Sequence, residues 1–228
     1  MDERNFQLPA HLPYTQALFR QVFGTYRVPV PTRPGYTMSA ELLGLDWLRL
    51  TLSGCVRKPL LSLVGPHDRG AVLWLQWLGM LVRKPSIRAL ELAHVSTLAE
   101  LRDRATEPVL MVVSGPVEAS MTTFMSLISN NTHFYNYNTK GRVTSTEEIR
   151  GTLLYCVPEP EGLDAFSCPL WVRDLRDQPA IADSSELLRQ LQLELPTLFD
   201  LLLNKPFLTK METDHWFTLD QITEPIPA

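Results

Sequence analysis

PLLSLVGPHDRGAVLWLQWLGMLVR, residues 59–83, is the stretch on which the architecture turns. A short apolar run, 60–64, leads into Gly65-Pro66-His67-Asp68-Arg69-Gly70, and a strongly apolar run with helical character, 71–82, follows. Strand, glycine-bounded loop and helix form the context of a phosphate-cradling P-loop. Gly65 and Gly70 have the spacing of the two glycines in G-x-x-x-x-G-K-[ST]. The two positions after them break the pattern. Ala71 stands where the lysine belongs, and Val72 stands where the magnesium-binding hydroxyl belongs. Asp68 adds negative charge where phosphate would sit; Arg69 offsets it, and the amides of the helix start would still suit an anion. The stretch reads as a nucleotide-binding scaffold without its nucleotide chemistry.

Moving toward the N-terminus, the pattern predicts a helix over 39–52 with Ser39 as N-cap and Leu42, Leu43, Trp47 and Leu50 inward. The prolines and glycine of 25–37 predict an extended linker. A short amphipathic helix over 14–23 is expected to turn Ala17, Leu18, Phe19 and Val22 inward, behind a loose arm at 1–13. Toward the C-terminus come a turn at 83–86, a strand at 87–92, and a helix at 97–105 with Glu100 and Arg104 at i,i+4 spacing. PVLMVV, 108–113, suits a strand buried on both faces of a parallel sheet. A helix over 117–128 with Phe124, Leu127 and Ile128 apolar precedes an exposed hairpin, 133–138 and 142–146, turning at Thr139-Lys140-Gly141. Strands are expected at 151–157 and 170–175. Asp183-Ser184-Ser185-Glu186 has the form of a capping box opening a helix over 187–203, which Pro196 should kink or divide.

Strands alternate with helices from 59 to about 175, which predicts an α/β fold. The expected form is a three-layer P-loop NTPase-like parallel sheet with helices on both faces and small N- and C-terminal helical additions. The expected division is an N-terminal arm and helical element over 1–54, a degenerate core over 55–180, and a C-terminal helix and tail over 181–228.

The 228 residues suffice for one well-cored domain with a small appendage. Hydrophobic residues make up 45% and charged residues 20%, which excludes wholesale disorder. A net charge of −4 weighs against a free-standing nucleic-acid binder, though not against a local basic patch. Cys55, Cys156 and Cys168 are too scattered for a disulfide framework or a metal site, so a reducing compartment is expected. The N-terminal MDERNFQLPAHLPY lacks a signal-peptide core, and the longest apolar run, 71–82, is interrupted by Gln76. The expectation is a soluble intracellular protein with no membrane partner.

The order of pieces resembles one family. GPHDRGAV, 65–72, is similar to the GPxxxGK[ST] loop of the superfamily 3 viral helicases, an AAA+ type of P-loop ATPase carried by the parvoviral replication protein and the papillomavirus replicative helicase. PVLMVVSG, 108–115, resembles that family's second hydrophobic strand, which ends in paired carboxylates and a glycine; Gly115 matches, and Val113 and Ser114 replace the acids. The helix ending in ISNN and the following HFYNYNTKGRV resemble the family's helix and DNA-gripping hairpin, with Tyr135, Tyr137, Lys140 and Arg142 in place to stack on bases and hold phosphates. GTLLYCVPEP, 151–160, resembles the sensor strand, with Pro158 and Glu159 where a polar residue normally faces the γ-phosphate. PLWVRDL, 169–175, resembles the arginine-finger segment, and Arg173 holds the matching place. The likeness covers residues 40–178. The helices of 14–52 would match the small helical element before the ATPase core. The nickase domain of parvoviral proteins has no counterpart, so nicking is not implied.

Lysine, magnesium-binding hydroxyl and strand-end carboxylates are absent together, so no ATPase activity and no cofactor is expected. Arg173 reads either as a finger completing a neighbour's site or, more simply, as one solvated charge in Arg173-Asp174-Leu175-Arg176-Asp177. The hairpin reads either as a single-strand grip or as an ordinary exposed ribbon, with only two cations and Glu147 and Glu148 close by. His94 has no nucleophile beside it in sequence and reads as a structural histidine; Cys156 reads as core. Trp74, Trp77 and Leu78 read as packing. The leucines of 187–203 read as burial on the chain's own domain, with partner docking as the alternative. The functional expectation is a non-enzymatic viral accessory protein in the host nucleus or cytoplasm, binding a host factor or a replication component. Single-stranded nucleic-acid binding without hydrolysis, and an ATPase with an atypical site, are the alternatives.

Overall fold

A computed structural model describes residues 8–204 except 26, 30–36, 53–59, 84–89, 169 and 182. Residues 1–7 of the expected arm, Cys55 and the tail from 205 lie outside the described residues, as does most of the 83–86 turn. The rest of the arm, 8–13, is not loose, since Leu8 and Leu12 are buried in the hydrophobic core and Pro13 opens the first helix.

The elements are α1 (Pro13–Phe23), β1 (Arg27–Pro29), β2 (Thr37–Ser39), α2 (Ala40–Leu52), β3 (Leu60–Val64), α3 (Ala71–Val82), β4 (Glu91–Val95) and α4 (Leu98–Arg104). They continue with β5 (Val109–Ser114), α5 (Ala119–Asn130), β6 (His133–Tyr137), β7 (Val143–Glu148), β8 (Thr152–Val157), β9 (Leu170–Asp174) and α6 (Ser184–Asn204). Five strands form one parallel sheet in the order β4-β5-β8-β3-β9. Strands β3, β5 and β8 therefore share one sheet, and the turn after β3 opens directly into α3. This is a three-layer α/β fold of P-loop NTPase-like form.

The apolar runs make sense in this setting. Alternate residues of one strand must enter opposite layers, so a central strand needs apolar residues at every position. Leu61, Leu63, Leu110, Val112, Leu154, Cys156 and Trp171 enter the core under α1, α2, α3 and α6. Leu60, Val64, Val109, Met111, Val113, Leu153 and Tyr155 enter the core under α4 and α5. The first core is dominated by aromatic rings. Trp74 packs edge-on against Phe19 and Phe23, and Phe23 stacks on Trp171.

Several local expectations need correction. The proline-rich 25–37 region is not simply an extended linker, because β1 and β2 pair antiparallel, Arg27 opposite Ser39. In α1, Ala17 is exposed, while Thr15 and Phe23 are buried. Residues 87–89 of the strand expected at 87–92 lie outside the described residues; the described edge strand is Glu91–Val95, which places the exposed His94 within the strand instead of after it. Glu100 does not pair with Arg104. Its carboxylate accepts from Ser96 and Thr97 in a complete capping box, and Arg104 pairs with Glu107 at 2.7 Å. In α5 the inward residues are Met121, Met125 and Ile128, and Leu127 faces outward. Ser39 caps α2 as expected, its Oγ accepting from the Leu42 amide at 3.2 Å.

At α6, Asp183 Oδ1 accepts from the Ser185 and Glu186 amides, but Glu186 turns to Arg189 and Gln190 instead of completing a box. Pro196 does not divide this helix, which is continuous over Ser184–Asn204. The reason is placement. Pro196 and Gln192, whose carbonyl loses its amide partner, both lie on the exposed side, where water can serve the carbonyl. Leu191, Leu195, Leu198, Leu201 and Leu202 are buried against the domain itself.

The opening of α1 is satisfied from far away. Leu12, at its N-cap position, offers no side-chain acceptor, yet a helix start leaves amide donors unmatched. Glu194 of α6 fills this role: its two oxygens accept from the Tyr14 amide at 2.9 Å and the Thr15 amide at 2.7 Å.

Candidate functional site

The loop between β3 and α3 is built as its glycines imply. Gly65 has a φ of 137°, a region that side chains other than hydrogen resist, and its amide donates to Val157 O at 2.8 Å. A tight 3-10 turn over His67–Arg69 carries the chain into Ala71. The loop is then covered by a segment far along the chain. The Leu175 amide donates to Val64 O at 2.7 Å, and the Ile181 amide to Asp68 O at 3.0 Å. Arg69 Nη1 donates to Gln178 O. Gln21 Nε2, from α1, donates to Arg69 O at 3.1 Å and Pro179 O at 3.0 Å. A Cβ on Gly65 would lie 3.1 Å from Arg176 N and 3.2 Å from Leu175 C. One flank of the loop is therefore protein backbone, and Arg69 is committed to the strap 175–181. Its Nε is buried without a hydrogen-bond partner, with the Asp68 carboxylate 3.9 Å away.

The chemistry at the carboxyl ends of the strands differs from that of a phosphate site. Ala71 is buried and Val72 is 39% exposed, and neither has a polar side-chain atom. Val113 is buried and Ser114 is exposed at the end of β5. Pro158 and Glu159 are exposed after β8. Arg176, just past β9, binds Asp174 at 2.6 Å and Glu159 at 3.0 Å. The cluster thus holds two carboxylates for one guanidinium, close to where a nucleotide's phosphates would need cations. The Arg176 hydrogen bond holds the Asp174 carboxyl below its ordinary value. Burial pushes the Cys156 thiol up to about 12, so it stays protonated and is no nucleophile. Among the described residues no group of three or more His, Cys, Asp and Glu side chains could hold a metal ion.

Arg173 is only 7% exposed, and its Nε donates to Val22 O at 2.9 Å. It is neither a solvated member of the 173–177 run nor presented outward to a neighbour; the exposed ion pairs of that run belong to Asp174 and Arg176.

The hairpin stands away from the main sheet as a separate ribbon, β6 paired with β7. Asn138 shapes its tip: its Oδ1 accepts from the Lys140 and Arg142 amides, both at 2.9 Å. Lys140 and Arg142 are exposed there, and Tyr135 and Tyr137 are 52% and 61% exposed. Glu148 is tied to Arg150 at 2.9 Å, and Glu147 accepts from Asn136 Nδ2 at 3.3 Å. At the hairpin base Phe134 stacks on Phe124 of α5, centroids 5.3 Å apart, and the Arg102 guanidinium lies 5.4 Å from the Phe124 ring centre. Hairpin, α5 and Arg102 of α4 together enclose a groove of about 480 Å³.

The structure thus separates the sequence-derived candidates into two places. The loop residues Gly65 to Val72, the strand ends at Ser114 and Glu159, and the exposed neighbours of Arg173 lie at the carboxyl edge of the sheet. Tyr135, Tyr137, Lys140 and Arg142 lie on the ribbon. Sequence reading missed Gln21, the 175–181 strap and Arg102. None of the three has a local pattern; each acquires its role through contacts distant in sequence.

No family model matches the chain, and no curated protein matches it in sequence. In fold it is similar to the C-terminal region of NrS-1. Three apo structures of that region give TM-scores of 0.52, 0.52 and 0.53 at 10%, 9% and 10% identity, each covering 99% of this chain. The chain spans about half the length of those solved chains, 51%, 50% and 50%. At this identity the likeness carries the fold, and it does not single out superfamily 3.

Proposed function

We propose that the chain is a non-enzymatic accessory protein of viral replication, working inside the host cell by binding another protein, a host factor or a replication component. Its viral origin rests on the resemblance of its ordered landmarks to the superfamily 3 helicases. The observation that carries the loss of enzymatic work is the strapped loop. Leu175, Gln178, Pro179, Ile181 and Gln21 hold the turn from outside through protein hydrogen bonds, so its shape needs no bound phosphate. Ala71 and Val72 offer a nucleotide's phosphates and magnesium no polar side-chain atom, and the Asp174 and Glu159 carboxylates, already paired with Arg176, would repel the phosphates. The test is calorimetric titration with Mg-ATP, beside a phosphate-release assay. Neither heat nor turnover is expected. Micromolar affinity, or hydrolysis abolished by Gly65→Val, would replace this reading with an atypical ATPase.

A second reading, single-stranded nucleic-acid binding, has one observation in its favour: two exposed tyrosines beside Lys140 and Arg142. Fluorescence anisotropy with an oligothymidylate separates the two. Retention that weakens with salt and disappears in Lys140→Ala/Arg142→Ala would favour the second.

A further inference from the structure

The ribbon segment Arg142-Val143-Thr144-Ser145-Thr146-Glu147-Glu148 sets three hydroxyls between a cation and two carboxylates. Every residue of β7 is exposed, and the strand pairs with β6 alone, so one of its edges faces solvent. A two-stranded ribbon holds together weakly by itself. This one is also interrupted. Asn136 pairs with Ser145 and Tyr137 with Val143, which leaves Thr144 without a cross-strand partner. Around Ser145 the chain is therefore extended, exposed and loosely paired, the state in which it can enter another enzyme's cleft.

The three hydroxyls are not equivalent. Thr144 Oγ1 donates its proton to Asn136 O at 3.1 Å. Ser145 Oγ accepts from Asn136 Nδ2 at 2.9 Å, which leaves its own proton without an acceptor among the described residues. Ser145 is also the primary alcohol of the three and the least hindered. The flanking charges differ as well. Glu147 accepts from Asn136, and Glu148 is paired with Arg150. Arg142, three residues before Ser145, is exposed and has no carboxylate beside it among the described residues. The charge still available on this strand is thus the guanidinium on the amino-terminal side of the serine.

We propose that Ser145 is a phosphorylation site for an arginine-directed protein kinase, one whose cleft sets carboxylates opposite a guanidinium three residues before the acceptor. Ser145 Oγ bonds to the γ-phosphorus of ATP, the bond from that phosphorus to the β,γ-bridging oxygen breaks, and ADP leaves. The hydroxyl proton passes to the kinase's catalytic carboxylate. The product adds about two negative charges to a ribbon tip whose charged side chains are Lys140 and Arg142. Its oxygens compete with Glu147 for the Asn136 amide. The site goes beyond the protein-binding reading and does not depend on it; phosphate there would cancel the cationic tip that the single-strand alternative uses.

The test is incubation of the folded full chain with Mg-ATP and the catalytic subunit of cyclic-AMP-dependent protein kinase, then trypsin digestion and sequencing of the peptides by mass spectrometry. Phosphate is expected on Ser145, in the peptide that spans 143–150. Ser86 also follows an arginine, Arg83, by three residues and lies outside the described residues, so the readout is the 143–150 segment alone. Arg142→Gln should slow incorporation there by about tenfold, the worth of a charge-assisted hydrogen bond. Ser145→Ala should leave the segment unmodified. Both substitutions are at exposed positions, so the fold should survive them. A synthetic peptide of residues 138–150 serves as the unfolded comparison. Modification of that peptide but not of the folded chain would show that the ribbon keeps Ser145 out of reach, and would overturn the proposal. So would phosphate on Thr144 or Thr146, an unchanged rate in Arg142→Gln, no phosphate on chain or peptide, or modification by an acidophilic casein kinase alone. None of these outcomes bears on the strapped loop, which the Mg-ATP titration tests separately.

Discussion

The turn after β3 and the ribbon after α5 are both glycine-bearing connections, and the protein treats them in opposite ways. The turn is closed in on itself: Val157, Gln178, Pro179, Ile181 and Gln21 bond to the turn or the strap across it, and backbone lies within 3.2 Å of where a Gly65 side chain would start. The ribbon bonds mainly within itself, and its tyrosines remain in solvent. Resemblance in sequence is therefore a poor guide to how a landmark is held in the fold. The turn keeps the outline of a ligand site but is satisfied by its own chain. The ribbon keeps few of the expected cations, yet it is the place with unsatisfied surface.

Four substitutions bear on this contrast. The largest effect is expected at Gly65. Alanine there meets both the φ of 137° and the Arg176 and Leu175 backbone, so unfolding free energy should fall by about 3 kcal/mol in a urea melt. Glu194→Ala comes next. It leaves the Tyr14 and Thr15 amides without acceptors beneath α6, and a loss of about 2 kcal/mol is expected. Gly141→Ala is the counterpart of Gly65→Ala on the ribbon. Its φ is 70° but nothing lies within 4 Å, so only the backbone term remains, about 1 kcal/mol. If Gly65→Ala cost no more than Gly141→Ala, the turn would not be held as closely as its contacts imply.

The smallest effect concerns pH. Asp174 has its carboxyl held below the ordinary value of 3.8, chiefly by the Arg176 hydrogen bond. Such a group stabilises the fold above the unfolded value, and the contribution is lost as pH falls through the lower folded value. The pair is half exposed, so its share is under about 1 kcal/mol. Asp174→Asn should lower stability slightly at pH 7 and flatten its decline below pH 3.8. A decline as steep in the variant as in the parent protein would show that Arg176 does not hold this carboxyl.

Much of the fold was legible because it is written locally. The apolar runs 109–113 and 153–157 could only be central, the hairpin was marked by Thr139-Lys140-Gly141, and Ser39 stands at its cap. The misreadings have a common cause in distant contacts. Arg173 looked like one charge in a charged run, but β9 packs beside β3, and its guanidinium reaches the Val22 carbonyl, 151 residues away. Phe124, Leu127 and Ile128 marked the helix as apolar without fixing its inward face, which Met121, Met125 and Ile128 set. The strap was invisible for the same reason: Gln178 and Gln21 carry no pattern and meet the loop only after the sheet has formed.

The hydrogen bonds from Tyr14 and Thr15 to Glu194 join positions 180 and 179 residues apart. During synthesis, α1 leaves the ribosome with its first amides unmatched, and their acceptor is among the last described residues to follow. Helix α1 therefore gains the acceptor for its first amides only once α6 is in place, a closure of long sequence separation that raises the chain's contact order.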